Sequence, residues 1–116
     1  MSIFQTIGPK VIATSEELGI RFVFNKGSKE ICFLIEDSCE YAQRSNKVAI
    51  TRWLLDTWKS FLMKYPQTYV VAVPYDGDNY FNYRINAYKK LGFATVRDDY
   101  ETIMVWGNVD SFNTDN

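Results

Sequence analysis

The sequence predicts an α/β domain: a mixed, mostly antiparallel sheet with one parallel junction, flanked by two main helices. Three observations predict it. Residues 19–24 and 30–35 are short β-branched and aromatic segments separated by a polar turn with glycine at its middle, the pattern of an antiparallel hairpin. From Val48 the period changes, and Ile50, Trp53, Leu54, Trp58, Phe61, Leu62 and Tyr65 recur at three- and four-residue steps, as on one face of a long helix. The run Tyr69-Val70-Val71-Ala72-Val73 then lacks alternation, which suits a central strand covered on both faces. A strand, a crossover helix and a second buried strand make a right-handed βαβ unit.

Taken in order, residues 1–18 are a weakly patterned N-terminal segment, with a short strand at Lys10-Val11-Ile12-Ala13-Thr14. Residues 36–47 are polar, break both periodicities and read as loop. Pro66 ends the long helix, and it pushes Tyr65 toward extended geometry. Pro74-Tyr75-Asp76-Gly77-Asp78 is a turn cluster, and Asn79 is placed to cap a second helix ending at Leu91. On that helix Ile85, Tyr88 and Leu91 share one side, while Arg84, Lys89 and Lys90 are expected in water. Lys89 and Lys90 suit the negative end of the helix dipole, and Gly92 suits a left-handed stop. Residues 93–96 and 100–106 predict a closing hairpin around Asp98-Asp99, and the polar residues 107–116 are expected to be a frayed tail.

Composition narrows the function classes. At 116 residues the chain is one domain, and 47% apolar with 16% aromatic residues is the make-up of a packed core rather than a disordered chain. A formal charge of −1 with interspersed signs shows no basic stripe, so no nucleic acid partner is expected. No apolar run reaches membrane-spanning length and no signal-like segment opens the chain, so no membrane partner and a cytoplasmic location are expected. Cys32 and Cys39 are expected as free thiols, and Cys39 as a bystander. The chain has no histidine, which removes Ser-His and Cys-His couples and imidazole metal sites; no metal is expected. Catalysis would fall to carboxylates, tyrosine, cysteine, backbone amides or a bound cofactor.

The pattern Tyr-x-x-x-Gly-Phe, Tyr88 to Phe93, resembles the second acetyl-CoA motif of the GNAT N-acetyltransferases. The predicted element order is similar to the conserved half of that fold over roughly residues 19–106, without the usual pair of helices after the first strand. The shortened layout is most similar to a phage-encoded GNAT-like group that includes acyltransferases and an internal virion protein. The residues carrying that likeness are Cys32-Phe33, Trp53, Lys64-Tyr65-Pro66, Arg84-Ile85 and Leu91-Gly92-Phe93.

The resemblance implies an acetyl-CoA-dependent N-acyltransferase that moves an acetyl group directly to the amine of a small molecule or protein. It implies a sheet splayed between residues 30–37 and 69–73, with room for the pantetheine arm. Tyr88 would be the general acid at the leaving thiolate. Backbone groups around Ile35 and Asp37 would hold the acyl carbonyl and pantetheine, and Glu36 would receive the amine proton. The family's pyrophosphate turn, Gln/Arg-x-x-Gly-x-Gly/Ala, falls on Asn46, Lys47, Val48, Ala49, Ile50 and Thr51. Here asparagine opens the turn, and alanine and threonine replace the glycines. Lys47, with Arg44 nearby, supplies positive charge, while Thr51 adds bulk. The motif's usual asparagine falls at Phe81, leaving Asn79 or Asn82 for the cofactor contact. These departures, with the missing helices, support a rival: a catalytically inactive GNAT-like phage protein serving as a virion component or binding a host protein. A third possibility is a regulatory subunit that senses acetyl-CoA.

Overall fold

The computed structural model describes residues 4–35, 47–77 and 79–115. Among them β1 (Gln5–Ile7), β2 (Lys10–Ser15), β3 (Ile20–Asn25) and β4 (Glu30–Ile35) form an antiparallel meander. Helix α1 (Lys47–Lys64) crosses over to β5 (Tyr69–Ala72), which lies parallel to β4. Then come α2 (Phe81–Leu91), β6 (Ala94–Asp98), β7 (Thr102–Gly107) and α3 (Val109–Asp115). The seven strands form one sheet in the order β1-β2-β3-β4-β5-β7-β6, antiparallel everywhere except at β4–β5. The expected α/β class, mixed sheet and single parallel junction are all present.

Residues paired across strands share a face of the sheet. Val11, Phe24 and Ile31 form one such row, Ala13, Phe22 and Phe33 the next, and all six are buried. Helix α1 lays Ile50, Leu54, Trp58 and Phe61 on that face, with Phe61 4.8 Å from the Phe24 ring and 5.3 Å from Phe22. Helix α2 adds Ala87, Tyr88 and Leu91 to the same layer, where Tyr88 meets Phe33 at 4.9 Å and Phe93 at 5.2 Å. Each large apolar side chain fully removed from water contributes about 1.5–3 kcal/mol before entropy is counted. This aromatic layer therefore carries much of the fold. Ile85, expected on the buried side of α2, is only half-buried, and Ala87 takes the buried position.

Three sequence expectations are corrected at the margins. β1 adds an edge strand inside the weakly patterned N-terminal segment, held to β2 by three register pairs. The expected frayed tail instead folds into α3. Asn108 caps it by accepting the Ser111 N–H at 3.1 Å, Phe112 packs edge-on to Tyr69 at 5.8 Å, and the Tyr69 hydroxyl donates to Asp115 at 2.8 Å. Tyr69 lies on the face opposite α1 and α2, so α3 covers part of the sheet's other side. Helix α2 is capped not by Asn79 but at Tyr80, which makes no side-chain cap bond. Residues 36–46, predicted as loop, lie outside the described residues. No helix among the described residues is long and apolar enough to cross a membrane.

Candidate functional site: a forked sheet and a basic groove

The parallel junction is short. β4 and β5 share only the pairs Glu30↔Val71 and Ile31↔Ala72, although β4 runs on to Ile35. The Lys29 carbonyl accepts the Val71 N–H at 2.9 Å, so the odd-numbered residues of β4 turn their peptide groups toward β5. β5 ends at Ala72 in both of its pairings, so beyond Ile31 β4 runs on along β3 with an open edge on that side, the fork, and Phe33 is the next residue to present its peptide group to it. Residues 36 and 37, at the far end of the splay expected between residues 30–37 and 69–73, lie outside the described residues.

Tyr88 reaches into this fork from α2. It is 1% exposed, and a backbone hydrogen bond joins it to Phe33. That bond favours the phenolate, so the phenol oxygen accepts and the Phe33 N–H donates. Burial pushes the Tyr88 phenol far above its ordinary value; the Cys32 thiol adds to the rise, and the Arg84 guanidinium and the Phe33 bond pull it back. The phenol therefore keeps its proton throughout the neutral range.

Arg84, expected in water, is buried. Its Nη1 donates to the Tyr75 carbonyl at 3.1 Å, and its guanidinium carbon lies 5.5 Å from the Tyr75 ring centre. A backbone carbonyl and an aromatic ring thus replace part of the water that a guanidinium loses on burial. Cys32 is half-buried beside the fork, and burial followed by the Glu30 carboxylate pushes its thiol up, which disfavours the nucleophilic thiolate.

Between α1 and α2, on the outer side of the helical layer, lies a groove of about 510 Å³. Its charged lining is Lys47, Arg52, Lys59 and Lys90 against a single carboxylate, Asp56. Thr51 and Tyr83 meet across it: the Thr51 hydroxyl donates to the Lys47 carbonyl at 2.9 Å and lies 3.3 Å from the Tyr83 hydroxyl. The extra bulk of Thr51 is thereby turned onto its own helix and toward α2.

The expected site residues other than Tyr88 fall in different places. Lys47, Val48 and Thr51 line the groove, and Ala49 is exposed beside them in the first turn of α1. Ile50 is not available to a ligand, because its side chain is core, 2% exposed. Asn82 is exposed on α2 but does not line the groove, where Asn86, one turn further on, takes that place. Ile35 is half-buried at the end of β4, while Glu36, Asp37 and Asn46 lie outside the described residues. The sequence reading missed Arg52, Lys59 and Lys90 as groove residues. Their signal was present, since 52 and 59 are one heptad apart on the polar side of α1, but only the approach of α2 turns that side into a wall.

Fold and site together define an α/β protein whose mixed sheet forks at its single parallel junction, with a buried tyrosine in the fork and a basic groove between the two helices behind it. The chain matches no family model, no curated protein and no solved structure.

Proposed function

We propose that this protein is an acetyl-CoA-dependent N-acyltransferase with a GNAT-like scaffold, transferring an acetyl group directly to an amine. The observation that carries the reading is the end of the parallel junction, where β4 runs on past Ile31↔Ala72 and the protonated Tyr88 hydroxyl sits on the Phe33 N–H. The residues present suit such a ligand on two counts. Four basic side chains against one carboxylate in the groove favour a phosphate-bearing tail, helped by the exposed N-terminal turn of α1. The open edge of β4 beyond Ile31 would offer its peptide groups to a narrow thioester arm.

Acetyl-CoA, when bound, supplies the activated acyl carbon. Tyr88 holds its proton at neutral pH and would be the donor to the leaving thiolate once its buried hydroxyl is uncovered to a bound thioester. The Phe33 N–H already donates to that oxygen, and it would stabilise negative charge there. The proton of the attacking amine goes to Glu36, a role that rests on the resemblance. Holding both reactants at the fork supplies much of the acceleration.

Calorimetric titration of the full chain with acetyl-CoA tests this. Saturable one-to-one binding is expected. Tyr88→Phe should bind within about threefold of the parent while turnover falls about 10²–10⁴-fold, the range for removal of a general acid. No heat and no thermal stabilisation at millimolar acetyl-CoA would sink the reading.

A second reading, a GNAT-like contact protein without acetyl-CoA, draws on one observation. Tyr88 is wholly buried with Phe33 as its partner, so the protein's own side chain fills the fork. It predicts the null titration, together with capture of a virion or host protein.

A further inference from the structure

At the same end of the sheet as the fork, beyond the last residue of β5, a second cavity of about 330 Å³ is formed by the 73–76 turn, the first residue of α2 and the β6–β7 turn. Its volume is that of a small-molecule site, or of a pocket for one long side chain. Three of its walls are aromatic: Tyr75, Phe81 and Tyr100. Tyr100 is 95% exposed, so packing does not account for its placement, whereas Tyr75, 60% exposed, also has the Arg84 guanidinium 5.5 Å from its ring centre. The charged residues of the lining are all acidic: Asp76, Asp99 and Glu101.

Asp99 already engages Arg97 at 2.7 Å, which holds its carboxyl below the usual carboxylate range. Glu101 also interacts with Arg97, more weakly, so the charge offered to a ligand comes from Asp76 together with the part of Glu101 that Arg97 leaves unbalanced. Aromatic faces combined with carboxylates are the chemistry that recognises an ammonium group. A neutral hydroxyl can donate to the same carboxylates but lacks the charge attraction that an ammonium adds, and an anion is repelled. The sign is opposite to that of the groove between α1 and α2, so the molecule is basic on one side of the fork and acidic on the other.

We infer that this cavity binds a cationic primary amine. Resting on the acyltransferase reading, it is the acceptor site, and the acceptor class is an alkyl diamine or a lysine-like side chain rather than a neutral arylamine. The distal ammonium sits among Tyr75, Tyr100, Asp76 and Glu101, while the reacting amine extends toward the mouth of the fork.

The test is an NMR titration of the full chain, without acetyl-CoA, using 1,5-diaminopentane and its neutral counterpart 1,5-pentanediol at moderate salt. The expected result is saturable shifts at Tyr100, Glu101 and Thr102 with the diamine and none with the diol. Affinity for the diamine should fall at least tenfold in Asp76→Asn/Glu101→Gln and several-fold in Tyr100→Ala, a change at a side chain too exposed to unfold the protein. Acetyl-CoA affinity should stay the same in all of them. Equal binding of diol and diamine, no diamine binding, or undiminished binding in the double variant would overturn the assignment. Because the titration omits acetyl-CoA, loss of acetyl-CoA binding counts against the acyltransferase reading alone. Diamine binding that depends on the two carboxylates supports the cavity assignment by itself.

Discussion

Tyr88 joins packing and chemistry in one side chain. Its ring meets Phe33 and Phe93, and its hydroxyl takes a peptide N–H that the parting of β4 and β5 leaves to it. Replacing it with phenylalanine keeps the ring contacts and strands the Phe33 N–H, at a cost of about 1–3 kcal/mol. The phenol also sets a pH dependence. Its folded pKa is raised, so below its ordinary value, near about 10, folded and unfolded chains both hold the proton and its contribution to stability is intact. Above that, only the unfolded chain releases the proton, and stability falls toward a limiting slope of about 1.4 kcal/mol per pH unit. Urea melts between pH 9 and 11 should show Tyr88→Phe losing less stability with rising pH than the parent, after both are referred to pH 8. Equal slopes would remove the buried phenol from the account. The burial of Tyr88 was legible from its spacing with Leu91. That of Arg84 was not, because a guanidinium leaves water only where a carbonyl and a ring await it, and Tyr75 supplies both from another segment.

The elements end where the backbone compels it. Gly92 closes α2 in the left-handed region at φ 103°, its N–H returning to the Lys89 carbonyl, and an added Cβ would meet the Trp106 ring at 3.1 Å. Gly107 ends β7 at φ 92°, and there a Cβ would lie 2.4 Å from the Thr68 carbonyl oxygen, a backbone atom with little freedom to move. Both glycine-to-alanine changes carry left-handed strain of about 1 kcal/mol or more. Gly107→Ala adds a clash with β5 and should cost clearly more, with a thermal midpoint several degrees below that of Gly92→Ala. Equal midpoints would show that β5 yields. The stop at Gly92 was readable from the two lysines and the glycine in sequence. Helix α3 was not readable, since its seven residues have no buried face of their own and are held by Asn108, Tyr69 and the sheet.

Across the whole molecule, charge is sorted in a way that a formal total of −1 conceals. Basic side chains from α1 and α2 converge on the groove, and carboxylates from two turns converge on the cavity at the other side of the fork. On the acyltransferase reading, Arg52→Glu/Lys59→Glu should weaken acetyl-CoA binding at least tenfold and flatten its dependence on salt, because both side chains are exposed on the groove wall and far from the core. Circular dichroism should report an unchanged fold. Unchanged affinity would place the phosphates elsewhere. In the parent, acetyl-CoA at a hundred times its dissociation constant should add about 2.7 kcal/mol of stability.

The sequence by itself determined the alternation of elements, the parallel junction, the aromatic face of α1 and the placement of Tyr88, because each follows from periodicity and local stops within a single segment. Only the tertiary structure decided that β4 and β5 pair over just two residues, that Arg84 leaves water, and that scattered lysines and carboxylates gather into patches of opposite sign. Those are properties of how distant segments meet. A side chain's neighbours across a helix pair or a turn are fixed by packing geometry, which no window along the chain contains.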